Sequence, residues 1–207
     1  MAQGLFVTLE GGDAAGKSTQ AARAQEWLTG IGRTVVRTRE PGGTEVGAGI
    51  RELLLHRRTP IDPRAEALLY AADRAQHVAT VVRPALERGA VVLQDRYLDS
   101  SVAYQGAGRV LDPDEVRRLS LWAAEGLLPD LTVLLDVDAA TARQRRSTRS
   151  TYDRLEAEDD GFHERVRDAF LVLARAEPER FVVVDGARPA DEVEQRIRAA
   201  VEPLLSR

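Results

Sequence analysis

The chain has 207 residues, 43% hydrophobic and 30% charged, with a formal net charge of −4 and no cysteine. That length and balance suit one globular domain with a packed core and a solvated surface. The charge gives no support for a nucleic-acid or anionic-membrane surface, and the missing cysteines exclude disulfides, thiolate metal sites and cysteine nucleophiles.

The chain opens on Met-Ala-Gln-Gly-Leu-Phe-Val, without the basic region and long apolar run of a signal peptide. A first strand is expected over Leu5–Leu9, and helical spacing begins at Lys17 and runs to Thr29. A second strand follows at Thr34–Arg37, then a long helix at Arg64–Glu87 and a third strand at Val91–Leu93. Beyond these come a helix at Pro113–Gly126, a strand at Thr132–Val137 and an arginine-rich helix at Ala139–Arg149. A helix at Asp160–Arg175, a fifth strand at Phe181–Val184 and a helix at Pro189–Leu205 close the chain. The strand runs are nearly continuous in Val and Leu, as in strands covered on both faces. Alternating strands and helices predict a three-layer α/β sandwich, with a five-stranded parallel sheet between two helical layers. No apolar stretch approaches the roughly 20 residues that cross a bilayer. The expectation is a soluble cytoplasmic protein, which the lack of cysteine fits.

In such sheets ligands bind beyond the carboxyl ends of the strands. The unusual residues of this chain follow strand ends. Gly11-Gly12-Asp13-Ala14-Ala15-Gly16-Lys17-Ser18 matches the phosphate-loop pattern G-x-x-x-x-G-K-[ST] and lies between a strand and a helix. Its glycines let backbone N–H groups curl inward onto phosphate oxygens, and the helix adds its positive end. Lys17 supplies a point charge for the β- and γ-phosphates, and Ser18 a hydroxyl for Mg²⁺. GTPase switches, motor ATPases and small-molecule kinases share this loop, so it does not select among them.

Asp95-Arg96-Tyr97 follows the third strand. Asp95 suits Mg²⁺ held through water, or orientation of an acceptor phosphate, and Arg96 offers a planar fork for phosphate oxygens. Tyr70 and Arg74 are four apart on one helix face, so a ring can stack on a base while the arginine reaches a phosphate. The plain alternative is a core aromatic beside a solvated arginine. His77 is read as structural. Ser100, Ser101, Tyr104 and Gln105 cluster the groups needed to read a base edge and gate a sugar position, against the alternative of a polar helix start capped by Ser100. Arg143, Arg145, Arg146 and Arg149 precede Tyr152-Asp153-Arg154-Leu155-Glu156 and are read as a mobile lid over residues 140–160.

Taken together, these motifs resemble the bacterial thymidylate kinase family over nearly the whole chain. The resemblance rests on the Glu10–Thr19 loop, Thr38-Arg39-Glu40-Pro41-Gly42-Gly43-Thr44, Ala72–His77, Asp95-Arg96-Tyr97, Tyr104-Gln105-Gly106 and Asp153-Arg154-Leu155-Glu156. It implies phosphorylation of dTMP by ATP with Mg²⁺, in a homodimer, without nucleic acid or membrane as partner. It implies that Gly11–Thr19, including Ala14, Ala15 and Thr19, hold ATP, with Lys17, Ser18 and Asp95 serving ATP and Mg²⁺. It gives Asp13 the sugar 3′-hydroxyl, and Arg74 and Arg96 the acceptor phosphate with Arg51 assisting. Tyr70, where the family more often has phenylalanine, would stack on thymine, while Arg74 and the Ser100–Ser101 region read its edge. Tyr104 would crowd the 2′ position, Gln105 would line the same pocket, and Glu40 and Pro41 would shape the loop beside it. Ala14 carries no charge where some relatives have a loop arginine, so the resemblance assigns the catalytic arginine to the lid at Arg149.

The competing readings are a kinase for another nucleotide or a deoxynucleoside, and a GTP-dependent switch. A deoxynucleoside kinase needs a base near a neutral hydroxyl, whereas Arg74 and Arg96 suit an acceptor that brings its own phosphate. A switch needs a guanine-reading Asn-Lys-x-Asp element, which the sequence lacks.

Overall fold

The five expected strands form β1 (Leu5–Glu10), β2 (Val35–Arg39), β3 (Val91–Asp95), β4 (Leu131–Asp136) and β5 (Phe181–Asp185) in a computed structural model. It describes residues 4–56, 59–109, 111–147 and 154–206, apart from the side chain of Arg146. The strands make one parallel sheet in the order β2-β3-β1-β4-β5. Strand β1 lies at the centre, so the loop that follows it opens between the ends of β3 and β4.

Strand periodicity divides the core. Leu5, Val7, Leu93, Val133 and Leu135 face one way and pack against Leu28 of α1 (Lys17–Gly30) and against Val193, Ile197 and Val201 of α9 (Ala190–Val201). Phe6, Val92 and Leu134 face the other way, onto the remaining helices. That second layer contains α2 (Glu45–Arg51), α3 (Pro63–His77), α4 (Arg83–Glu87), α5 (Leu98–Ser101), α6 (Pro113–Ala123) and α8 (Asp160–Ala176). Helix α7 (Ala139–Ser147) follows β4. Side-chain caps start several of these helices: Thr44 on Gly47 N, Asp62 on Arg64 N, Asp112 on Asp114 N and Asp159 on Phe162 N.

The structure departs from the sequence expectation in five places, the last helix being α-helical only to Val201 before a 3₁₀ turn at Glu202–Ser206. The helix expected over 64–87 is broken by a wide π-turn at Val78–Val82 before α4. Pro84 has no N–H for the carbonyl four residues back, so a regular turn cannot pass there. Helix α6 ends at Ala123, ahead of left-handed Glu125 and Gly126. Residues 45–56 are helical, as α2 and a π-turn at Glu52–His56. Residues 98–108 are helical as well, as α5 and a π-turn at Val102–Gly108. That helix is capped at Tyr97, and Ser100 lies inside it.

A chain of buried polar groups crosses the second face. Thr8 on β1 meets Thr132 on β4 at 3.0 Å, and Arg180 donates to Thr132 at 2.7 Å and to both oxygens of Asp99 at 2.7 and 2.9 Å. Asp99 is fully buried, so this pair fastens α5 to the sheet where the ligand crevice begins. Removing one partner of such a pair strands a charge in low dielectric. Arg180→Met should therefore lower unfolding stability by about 3–5 kcal/mol. Urea denaturation checks this, and a loss below 1 kcal/mol would mean that Asp99 finds other compensation.

Candidate active site

The loop after β1 takes backbone conformations that only small residues adopt readily. Gly11 and Gly16 have φ of 131° and 102°, and a Cβ on Gly11 would lie 2.4 Å from the carbonyl of Leu135. Ala14 sits at φ 63° although it is not glycine, at a cost of roughly 1–2 kcal/mol. Helix α1 starts at Gly16 with no side-chain cap and no acidic residue in its first turn, which leaves its N–H groups open for an anion. Lys17 is buried, and its Nζ donates to the carbonyls of Gly11 at 3.0 Å and Gly12 at 2.7 Å. Burial, with Arg96 nearby, lowers its pKa to about 8 against the pull of Asp95, Asp13 and Glu10. The Ser18 hydroxyl donates to Asp95 Oδ2 at 3.0 Å.

A cleft of about 260 Å³ runs from this loop toward α3 and the 98–108 helix, so a donor and an acceptor would share one space. Asp13, Ala14, Gly16, Lys17, Ser18 and Thr19 line its loop end, with Asp95 and Arg96 beside them. Glu40, Pro41, Arg51, Tyr70, Arg74, Ser100, Ser101, Tyr104 and Gln105 line the rest. Gly11 and Gly12 border an adjacent depression, and Ala15 lies behind the loop.

Arg96 joins the two ends. It occupies a left-handed backbone position, φ 65°, which swings its side chain across the end of β1. The guanidinium donates to Asp13 at 2.6 Å, to Tyr104 Oη at 3.0 Å, to Ser100 Oγ at 3.1 Å and to Gly11 O at 3.2 Å, and lies 4.7 Å from the Tyr104 ring centre. Tyr104 also donates to Asp13 at 2.9 Å. Burial opposes ionisation of Asp13, but Arg96, Lys17 and the Tyr104 hydroxyl outweigh it and hold the pKa at about 2. Burial pushes the Tyr104 phenol well above its ordinary range, so it remains a donor.

Glu10, at the end of β1, accepts from Tyr97 N at 2.7 Å and from Ser100 Oγ at 2.6 Å. Ser100 therefore serves as a link between Glu10 and Arg96, and the N-cap alternative is set aside. Glu40 makes a second buried knot, accepting from Arg74 Nε at 2.9 Å and lying 3.0 Å from His77 Nδ1. His77 Nε2 is 2.7 Å from Thr38 Oγ1, in keeping with a structural histidine. Arg74 is almost fully buried and also donates to Ser101 and Ser120 at 3.1 and 3.0 Å. Its head lies beside Ser101 in the wall of the cleft. Arg51 donates to Pro41 O at 2.9 Å.

The expected lid is described in part. Arg149 and Asp153 lie outside the described residues, as does the side chain of Arg146. Arg143 pairs with Asp160 at 2.8 Å near the surface, and Arg145 approaches Ala14 O at 3.5 Å. Part of the expected lid is anchored: Arg154 donates to Leu54 O at 2.9 Å and pairs with buried Glu66, which also accepts from Gln105 at 2.9 Å. The sequence offers no sign of Glu66 or Leu55 in this region and gives Leu155 and Glu156 only as part of the lid motif, since nothing local links Glu66 to Gln105 and Arg154, 39 and 88 positions away. It also missed a depression behind the loop, lined by Thr19, Arg145, Gly186 and Arg188. The glycine following β5 was the available signal, because a Cβ on Gly186 would lie 3.1 Å from Ala15 O.

A family model described as thymidylate kinase matches residues 9–197. A thymidylate kinase of Leifsonia xyli subsp. xyli is 72% identical over 200 residues, 96% of this chain and 95% of that protein. One from Deinococcus radiodurans is 55% identical over 201 residues, 97% of this chain and 98% of that protein. Among solved structures, the crystal structure of thymidylate kinase from Ehrlichia chaffeensis superposes with a TM-score of 0.79 at 30% identity, covering 96% of this chain and 99% of that one.

Burial, reinforced by Asp99, raises the Glu10 pKa to about 7 despite Ser100, Arg96 and Tyr97. A carboxyl with a raised folded pKa binds its proton more tightly in the native state. Its contribution to stability is full below the ordinary carboxyl range and is lost as pH rises through about 7. Glu10→Gln should remove about 1–3 kcal/mol of pH-dependent stability between pH 4.5 and 7.5. Urea denaturation of both proteins across that range reads the difference, and parallel pH curves would refute the shift.

Proposed function

The chain belongs to the thymidylate kinase family and transfers the γ-phosphoryl group of ATP to dTMP, and from that premise we propose how its residues divide the work. The observation that carries the reading is the single cleft that joins the phosphate loop to the pocket containing Tyr70, Ser101 and Gln105.

An oxygen of the dTMP phosphate forms a bond to the γ-phosphorus. The bond from that phosphorus to the β,γ-bridging oxygen breaks, and its electron pair leaves with ADP. The attacking phosphate is already anionic, so no strong general base is required, and catalysis rests on position and charge. Lys17 and the loop N–H groups hold the β- and γ-phosphates. The Lys17 bonds to Gly11 and Gly12 keep the ammonium inside the cradle, and phosphate oxygens would replace those carbonyls. Arg96 and Arg51 bind the acceptor phosphate, with Asp13 orienting Arg96 and taking the sugar 3′-hydroxyl. Tyr70 stacks on thymine, Arg74 and Ser101 read its edge, and Gln105 closes the pocket from its bond to Glu66. Tyr104 fills the space beside the sugar 2′ carbon. Glu40 and Pro41 hold the turn that carries Arg51, and Ser100 holds Arg96. Lid arginines, Arg149 among them, would close over the phosphates. The adenosine of ATP would lie over the depression at Gly186 and Arg188.

Ser18 and Asp95 present hard oxygen atoms 3.0 Å apart, which suits Mg²⁺. No group of three His, Cys, Asp or Glu able to hold a metal occurs among the described residues, so most ligands would come from phosphates and water. When bound, the ion neutralises charge on the β- and γ-phosphate oxygens.

The helical layer carrying the acceptor pocket exposes Val46 and Leu53 near α2, Leu68 on α3 and Trp122 on α6, with Trp122 79% accessible. Large apolar groups on one layer support a homodimer through this face. Among the described residues no helix is long and apolar enough to span a membrane. The cysteine-free sequence supports a reducing compartment such as the cytoplasm.

A coupled assay over nucleoside monophosphates should rank dTMP first, and equal turnover of AMP, CMP or GMP would remove the assignment. Lys17→Ala should abolish transfer in a folded protein. Leu68→Glu combined with Trp122→Glu should give a monomer in sedimentation velocity, whereas an intact dimer would place the interface elsewhere.

A further inference from the structure

The phosphate loop, Gly11–Ser18, carries no arginine. Phosphoryl transfer spreads negative charge over the moving group, and a fixed cation there contributes strongly. Five cationic side chains among the described residues line the cleft: Lys17, Arg39, Arg51, Arg74 and Arg96. Four of them bond to the protein. Lys17 is held by Gly11 and Gly12, Arg51 by Pro41, Arg74 by Glu40, Ser101 and Ser120, and Arg96 by Asp13 and Tyr104. Arg39 is exposed, and among the described residues it makes no hydrogen bond or ion pair.

The position of Arg39 is well defined. It is the last residue of β2 and pairs in register with Asp95, while Glu40 N donates to Asp95 O at 3.0 Å. Its root therefore lies one strand spacing, about 4.8 Å, from the carboxylate that meets Ser18. It lines both the main cleft and a second depression that contains Ser18 and Asp95, so it stands where the two phosphate positions meet. The turn that follows explains the glycines of the Arg39–Thr44 motif. A Cβ on Gly43 would lie 2.8 Å from Arg39 O and 2.6 Å from His77 Nε2, and one on Gly42 would lie 2.9 Å from Arg51 Cδ. Strand alternation sends Glu40 inward to Arg74 and His77 and leaves Arg39 on the opposite face.

We propose that Arg39 is a catalytic residue of this kinase: its guanidinium contacts the phosphoryl group in transit between ATP and dTMP and adds to the charge that the lid arginines bring. The proposal rests on the dTMP kinase reading above. The bonds made and broken are those of that reaction, and Arg39 neither gains nor loses a proton. A surface arginine without a ligand would be solvated and replaceable, which sets the test.

Arg39→Met keeps the stem and removes the charge. It should lower kcat about 10²–10³-fold, with KM for ATP and dTMP within about threefold. Arg39→Lys should recover only part, since an ammonium lacks the planar fork. Arg37→Met, two residues back on the same strand face, should retain wild-type kcat. Calorimetry with a bisubstrate analogue, adenosine and thymidine joined by five phosphates, should show at least tenfold weaker binding to Arg39→Met, with dTMP alone bound as before. Wild-type kcat in folded Arg39→Met, or an equal loss in Arg37→Met, would overturn the proposal while leaving the kinase assignment intact. A wild-type protein inactive on dTMP would overturn both.

Discussion

The 2.6 Å ion pair between Arg96 and Asp13 is the contact on which the site depends. Asp13 belongs to the loop that would hold the donor, and Arg96 follows the neighbouring strand on the side where the acceptor would lie. Their bond would set the separation of the two phosphates before either arrives, which is the pre-organisation that phosphoryl transfer requires. Both groups are largely removed from water, so the pair is short and strong, and each carries further partners that settle its orientation. The left-handed backbone of Arg96 is a strain accepted at this point, because an ordinary strand end would aim the side chain elsewhere.

Beneath that pair lies a polar layer with no direct access to substrate. Glu10 holds Tyr97 N and Ser100, and Asp99, next to Ser100 on the same turn, is held by Arg180 from the edge of the sheet. Apolar packing of the same volume would often be as stable or more so. The arrangement therefore makes better sense as orientation. Hydrogen bonds with fixed directions place α5, and α5 places Ser101 and the helix that carries Tyr104. The Glu40–Arg74–His77 knot does the same for the opposite wall. Two rigid walls then meet at the ends of β2, β1 and β3.

Two site helices are poorly legible in the sequence, which offers none at 45–51 and a helix start near Ser100 only as an alternative, and the reason is the same in both. Residues 45–51 include Gly47 and Gly49, and residues 98–108 include Gly106 and Gly108, all poor helix formers. Tertiary contacts override that preference. A Cβ on Gly47 would lie 2.3 Å from Asp73 Oδ1, one on Gly106 3.0 Å from Pro113 Cα, and one on Gly108 2.7 Å from Phe162. Gly47, Gly106 and Gly108 are there for close approach between helices, which only the partner helix shows, whereas a Cβ on Gly49 would meet nothing within 4 Å.

What the sequence by itself determined rests on short-range chemistry. The strand runs, their alternation with helices and the phosphate loop are patterns within a few residues of one another, and all five strands and the loop–helix junction appear where those patterns put them. The motif order also carried the family. The tertiary structure decided where each of several chemically equal groups sits and what it touches. Arg39, Arg74 and Arg96 are the same side chain at comparable places near strand or helix sites. One is exposed without a partner among the described residues, one is sealed behind Glu40 and Ser101, and one bridges to Asp13 from 83 residues away. Burial and partners separate them. Those come from contacts between distant segments, which no local pattern encodes.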